Sequence, residues 1–526
     1  MKPIRLISGF LTVGGWTMGS RLLGFARDIL LAVMLGTGPV AEAFLVAFAL
    51  PNMFRRFFAE GAFNMAFVPM FSKRIADPAG ARAFAQEAFS GLGFVLVVFS
   101  LVAIAAMPLL VLAMASGFAG DIRFDLAVEF GRICFFYILF ISLAALLSGV
   151  LNAVGHFTAG AAAPVVLNVI LVAVLLMAQA GVFPESRIVE DLEGLRFGHL
   201  LVWGVLLAGI GQFLLLWWSA RRLGFPMTIT RPRMTPDMRQ LVRVAVPAAL
   251  AGGVVQINLL IGRQVASFFD GAVAWLAYAD RLYQLPLGVV GIAVGVVLLP
   301  DLARRLAAGD DAGGRHALSR AGEFSLALTL PAAAALIAIP GPLVSVLFQR
   351  GAFSAEDTAA TALATAVYGA GLPAFVLQKV LQPLYFARED TVRPFRYAVA
   401  AMVINAVCAI GLAPAFGFIA AAWGTTLAGW GMVGLLWWGA RPLGEVARFD
   451  DRLRRRLPRQ VLASAIMGVV LIGGVHALGP ALAMPGWRYL GLLGLVGLGM
   501  VAYALASQLT GAFTLTDLRS ATRRSR

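Results

Sequence analysis

The feature that most limits what this chain can fold into is its set of long, unbroken apolar runs, such as Gly91–Ala115 and Val461–Val475. A helix of about 20 residues spans the ~30 Å hydrocarbon layer of a bilayer at 1.5 Å per residue. Inside that layer every backbone N–H and C=O needs a partner from the chain itself, which only helices and closed barrels provide. A membrane barrel alternates apolar and polar residues, whereas these runs are continuous, so the spans are helices. Composition agrees. Of 526 residues, 60% are hydrophobic and 13% charged, and the mean hydropathy is +0.86, too little polar surface for a soluble fold of this size.

Cys134 and Cys408 both lie in apolar runs, so they read as inert packing residues and no disulfide framework is expected. The opening MKPIRLISGF leads into a hydrophobic stretch without a small-residue cleavage site, so no cleavable signal peptide is expected. The net charge of +15 would suggest nucleic acid on a soluble domain, but its position along the chain points to membrane topology instead.

The apolar runs predict an all-α polytopic fold of about fourteen transmembrane helices. They are expected near 5–35, 40–72, 88–116, 124–153, 160–181, 199–220, 240–269, 273–305, 319–349, 358–386, 394–413, 418–440, 459–478 and 487–510. Loop charge tests this layout independently. Alternate loops collect Lys73, Arg74 and Arg82, then Arg221 to Arg243, Arg304 to Arg320, Arg388 to Arg396, and the basic stretch Arg441 to Arg459. The opposite loops carry only Arg123, Arg187, Arg196, Arg350 and Arg488, and one of them, PESRIVEDLEGLRF, is acidic. The positive-inside rule then places both termini in the cytoplasm, which requires an even number of spans.

Two segments about 230 residues apart echo each other, AFVPMFSKRIA and VLLPDLARRLA, with Pro69 matching Pro300 and Lys73–Arg74 matching Arg304–Arg305. SGVLNAVGHF with Asn168 pairs with QPLYFAREDT and Asn405 at nearly the same offset. A parallel repeat of two six-helix lobes facing a central cavity follows, with lobes at 1–222 and 223–440 and the basic loop plus helices thirteen and fourteen at 441–526.

Charges inside the spans carry the functional signal. Arg21, Arg27 and Asp28 fall in the first span, Glu42, Arg55, Arg56 and Glu60 in the second, Arg263 in the seventh, and Asp280 and Arg281 open the eighth. A charge at the bilayer centre costs at least ~2.5–3.5 kcal/mol, so these groups face one another or a wet cavity. Arg56 and Glu60, at i and i+4, are expected to pair, and Glu42 projects near that face. Arg21 and Asp28 share a face two turns apart. Cations remain in excess, chiefly Arg21, Arg55 and Arg281 with Arg27 next, and an arginine fork suits phosphate or pyrophosphate oxygens. The expectation is an anion-binding cavity of a transporter.

At these residues the chain resembles the lipid II flippase family (MurJ, also called MviN) of the multidrug/oligosaccharidyl-lipid/polysaccharide exporter superfamily. The resemblance rests on SRLLGFARD, AEAFLVAFALPNMFRRFFAEGAFNMAFVP, YADRLYQLPLGVVGIAVGVVLLP and LFQRGAFSAEDT, and covers essentially the whole chain. It implies movement of undecaprenyl-pyrophosphoryl-disaccharide-pentapeptide from the cytoplasmic to the periplasmic leaflet of the inner membrane by alternating access, for peptidoglycan synthesis. It places the family's cavity arginines on Arg21, Arg27, Arg55 and Arg281 and matches Asp28 and Glu42 to family acids; Asp28, Glu42, Glu60 and Asp280 are the expected supporting cavity acids. Glu42 stands where many members have Asp, and Gly262 where some have the aspartate of a sodium site, which leaves membrane potential or protons as drivers. The resemblance also implies that the isoprenoid tail lies in a groove of helices thirteen and fourteen.

No DxD motif, facing carboxylate pair or metal-ligand cluster is evident, and His156, His199, His316 and His476 are isolated near loop ends, so neither enzyme chemistry nor a cofactor is expected. A drug exporter for lipophilic cations would need surplus carboxylates, the reverse of what stands here. A flippase for another polyprenyl-pyrophosphate-linked oligosaccharide is the alternative that composition leaves open. Expected partners are lipid II and membrane lipids, with cell-wall synthesis and division proteins as candidates and no nucleic acid.

Overall fold

The computed structural model describes residues 6–56, 62–182, 194–484 and 486–513. Among them there are nineteen α-helices and no strand. Ten helical segments are long and apolar enough to cross a membrane: Pro78–Ala105, Ile122–Ala153, Thr158–Gln179, Leu195–Arg222, Asp311–Ala338, Ala355–Phe386, Val392–Phe416, Ile419–Ala447, Asp451–Ala483 and Arg488–Thr510. The other four expected spans coincide with α1 (Leu6–Leu35), α2 and α3 (Pro39–Arg55 and Ala62–Ser72), α10 (Pro236–Ser267) and α11 (Ala272–Ala307). These are the segments that carry the charges singled out above.

Helix ends follow from capping chemistry, since the first N–H groups of a helix have no partner within it. Asp77 caps α4 (Pro78–Ala105) by accepting from Ala79 N at 3.2 Å. Thr235 caps α10, Asp310 caps α12 (Asp311–Ala338) and Asp450 caps α18 (Asp451–Ala483) in the same way. Ser354 and Asp357 form a reciprocal capping box on α14 (Ala355–Leu381). Within the spans, apolar residues point both outward and inward. On α4, Ala81, Ala85 and Ala88 are buried while Phe94, Val98, Leu101 and Val102 are exposed, which is the pattern of a helix whose outer solvent is lipid.

The chain divides into two compact units, residues 1–274 with 351–353, and residues 275–350 with 354–526. The first unit includes α10. The reason is visible in the contacts of α10. Asp237 pairs with Arg74 at 2.7 Å, Thr235 donates to Glu87 at 2.8 Å, and Gln264 and Ser267 bond the backbone at Ser116 and Gly117. Residues 351–353 join the first unit because Ala352 N donates to Val33 O at 2.9 Å. Glycine makes that approach possible: Gly36 and Gly351 have φ of 61° and 58°, and a Cβ on either would lie within 2.4 Å of a backbone oxygen. In the second unit, α12, α14, α17 (Ile419–Ala440) and α18 enclose a core that includes Leu318, Val380, Leu436 and Leu453. Here α19 (Arg488–Thr510) packs on α18, and Leu471 and Leu495 form part of a smaller cluster with Ile339.

Candidate functional site

In the first unit, α1 packs against α8 (Thr158–Gln179), and the two helices build a polar seam from four residues. Arg27 turns its Nε and Nη2 onto Asp28 Oδ1 at 3.0 and 2.7 Å and its Nη1 onto Asn168 Oδ1 at 3.0 Å. Asn168 Nδ2 returns a hydrogen bond to Ser20 O at 2.9 Å. Arg27, Asp28 and Asn168 are all buried. The sequence reading set Asp28 against Arg21 by their shared face; in the structure Asp28 pairs with Arg27 beside it. An arginine stem is long enough to wrap around its own helix, so adjacent residues can pair. Arg21 is half-buried nearly two turns earlier, and among the described residues no carboxylate lies within ion-pair distance of it. Arg27 is thus held rigidly in place, with Arg21 on the same helix.

Arg55 is half-buried at the last residue of α2, and Arg56 is exposed beside it. Arg56 Nη1 donates to Gln256 Oε1 of α10 at 3.3 Å. Its expected partner Glu60 lies outside the described residues. Glu42 sits at the opposite end of α2 and has a different set of neighbours from those read in the sequence. It is 1% exposed, receives Arg123 Nη1 on Oε2 at 3.0 Å and accepts from Val273 N on Oε1 at 2.9 Å. Arg123 opens α6 (Ile122–Cys134), binds Asp121 Oδ2 at 2.6 Å and Asp270 Oδ1 at 2.9 Å, and lies 4.6 Å over the Phe118 ring. In the sequence Arg123 is an ordinary loop charge. The structure makes it the centre of a buried network that ties α2, α6 and the turn between α10 and α11 together.

Asp121, just ahead of α6, feels burial, which opposes its ionisation, but the Arg123 backbone N–H and guanidinium outweigh that and hold its carboxyl below the usual carboxylate range. In the second unit, Arg281 is exposed on α11, and half-buried Asp280 accepts from Gln284 one turn on. Near them Tyr283 packs its ring against Tyr368 and Phe375, at centroid distances of 5.3 and 5.8 Å. Among the described residues, no group of His, Cys, Asp and Glu side chains is placed to hold a metal ion.

The first unit thus places Arg21 and Arg27 on α1, with Arg27 oriented by Asp28 on the same helix and by Asn168 on α8. A family model described as lipid II flippase MurJ matches residues 31–495. The chain belongs to that family. A probable lipid II flippase MurJ of Rhizobium meliloti (strain 1021) is 44% identical over 526 residues, covering 99% of this chain and 96% of the relative. One of Rhizobium tropici is 42% identical over 529 residues, covering 99% and 97%. The lipid II flippase MurJ of Burkholderia cenocepacia is 35% identical, covering 76% of this chain and 77% of its own. Among solved structures, the inward closed conformation of a lipid II flippase MurJ aligns with a TM-score of 0.76 at 22% identity, covering 95% of this chain and 98% of that one. An inward-facing multidrug resistance MATE family transporter of the MOP superfamily aligns at 0.63 and 15% identity, covering 83% and 98%. These two alignments establish the fold. Within the MurJ family, residues 31–495 contain Glu42, Arg55 and Arg281, whereas Arg21, Arg27 and Asp28 lie ahead of the matched range. The residue that sequence reasoning missed in the polar seam is Asn168, seen there only as a repeat echo. A buried Asn on a lipid-level helix was the available signal.

Proposed function

We propose that this protein is a flippase that carries lipid II, the undecaprenyl-pyrophosphate-linked disaccharide-pentapeptide, from the cytoplasmic to the periplasmic leaflet of the inner membrane by alternating access. The observation that carries the reading is the near-full-length similarity to lipid II flippases, at 42–44% identity, together with arginines where the bilayer disfavours charge. The proposed pyrophosphate ligands are Arg21, Arg27, Arg55 and Arg281. Their guanidiniums keep their charge at any physiological pH and present paired N–H donors that match phosphate oxygens. Asp28 and Asn168 orient Arg27, so the cost of ordering that side chain is met before substrate arrives.

Both termini are proposed to be cytoplasmic, in keeping with the loop-charge asymmetry. Gly262 supplies no carboxylate for a coupling cation, and the membrane potential is the proposed driver. A fixed positive charge crossing the full field gains ~2.3 kcal/mol per 100 mV, and ~1.4 kcal/mol already shifts an equilibrium tenfold. The test uses Arg55→Lys and Arg281→Lys in a strain depleted of its own flippase. Both variants keep the charge and lose the fork, so both are expected to support growth poorly at normal protein levels. Full complementation by both would remove the phosphate clamp from this account.

A further inference from the structure

Two arginines of the second unit that the transport reading does not use stand side by side. Arg350 follows α13 (Pro340–Phe348), and Arg488 is the first residue of α19. Both guanidiniums lie against the same ring, Tyr489, at 5.5 and 5.4 Å from its centroid. Each is anchored by one backbone carbonyl, Arg350 Nη2 to Leu347 O at 2.5 Å and Arg488 Nη1 to Gln349 O at 3.3 Å. Among the described residues neither has a carboxylate within ion-pair distance, although Glu356 and Asp357 follow a few positions later. Asp357 instead accepts from Trp275 and closes the α14 capping box. Burial and the neighbouring Arg488 charge both lower the Arg350 pKa, the mark of two like charges held together without a counter-ion.

A guanidinium has five N–H donors, and one hydrogen bond is accounted for on each. The Nε of Arg488 is buried and has no hydrogen-bond partner. Two half-buried forks with donors to spare fit an anion with several oxygens at tetrahedral spacing. The surroundings indicate where that anion comes from. Trp487, Tyr489 and Leu490 are exposed at 63, 40 and 59% around the pair, at the very start of a membrane-length helix. Aromatic rings beside arginines at a span terminus are the chemistry of the bilayer's headgroup layer.

We propose that Arg350 and Arg488 form a binding site for the phosphate of a membrane lipid headgroup at the α13–α19 end of the second unit. The site binds the phosphodiester through the free faces of both guanidiniums, while Trp487 and Leu490 lie along the glycerol and first acyl carbons. Bound lipid seats the start of α19 against α13. The site is separate from the four proposed substrate arginines, and its test does not depend on transport.

The full chain in neutral detergent is titrated with phosphatidylglycerol, with diacylglycerol of the same acyl chains, and with inorganic phosphate, and bound lipid is counted by native mass spectrometry. The expected result is retention of phosphatidylglycerol at least tenfold above diacylglycerol, reduced at least tenfold in the R350Q/R488Q variant. The R350K/R488K variant keeps both charges, so it controls for folding, and it should recover only part of the binding because the fork is lost. Equal retention by wild type and R350Q/R488Q would overturn the proposal. Displacement of the lipid by millimolar inorganic phosphate would also overturn it, because the ligand would then be a soluble anion.

Discussion

Replacing Arg123 by Met removes the cation at the centre of the α2–α6 network and leaves its volume roughly filled. Glu42, 1% exposed, would then keep backbone N–H partners such as Val273 N at 2.9 Å but no cation. Stripping one partner from a buried ion pair costs about 3–5 kcal/mol, because the remaining charge is uncompensated. Asp270 and Asp121 lose the same cation, but their side chains are 92 and 35% exposed, so water takes its place at little cost. Glu42→Gln is the milder change, since Arg123 retains Asp121 at 2.6 Å and Asp270 at 2.9 Å. Arg123→Met should therefore lower the unfolding midpoint by about 3–5 °C, and Glu42→Gln clearly less. The double variant should be more stable than the sum of the two losses predicts. Cys134 supplies the assay: it is fully buried in α6, the helix that begins with Arg123, and in a Cys408→Ser background it is the remaining thiol. Labelling by a thiol-reactive dye during a thermal ramp reports when that helix opens. Equal midpoints for wild type and Arg123→Met, or strictly additive losses in the double variant, would refute the reasoning.

Asn168→Ala should leave the Arg27 Nη1 without its acceptor in a buried setting, at a cost of about 1–3 kcal/mol, and should slow lipid II translocation while the protein still reaches the membrane. Unchanged translocation in vesicles would separate Arg27 orientation from function. Asp450→Ala removes both the α18 cap at 2.8 Å from Leu453 N and the ion pair with Arg320, and should lower stability by about 1 kcal/mol or somewhat more. Burial opposes ionisation of Asp450, but its bonds from Leu453 N and Arg320 prevail and hold its carboxyl below its ordinary range. A depressed carboxylate contributes stability above its unfolded pKa of about 3.9 and loses it as pH falls through the lower folded value. The stability difference between wild type and Asp450→Ala should therefore narrow below about pH 4, and a constant difference down to pH 2 would contradict the assignment.

Helix positions were legible because lipid leaves so few alternatives: an apolar run of the right length has to be a helix. What the apolar runs do not encode is where a helix breaks. The interruption between α6 and α7 (Tyr137–Ala153) at Phe135–Phe136 and the short helices α5 (Met107–Met114) and α13 are as apolar as their surroundings. The charged residues were legible as a set, since each costs free energy in a bilayer, but their pairing was not. Spacing along one helix finds i, i+4 partners, whereas Arg123 meets Glu42 across 81 positions and Arg27 meets Asn168 across 141. The Arg27–Asp28 pair escaped because residues next to each other on a helix point about 100° apart, and only a flexible side chain brings them together. The polar bonds that α10 makes with segments over 140 positions earlier were hidden for a similar reason.

The most direct test of the central claim is lipid II translocation by the purified chain in proteoliposomes, with fluorescent lipid II placed in one leaflet and its arrival in the other followed in time. An imposed membrane potential should speed the movement well above that of protein-free vesicles. The Arg55→Lys and Arg281→Lys proteins should lag behind wild type, and a polyprenyl-pyrophosphate-linked O-antigen unit should move more slowly than lipid II. Translocation no faster than in empty vesicles, or equal rates for lipid II and the O-antigen lipid, would contradict the account.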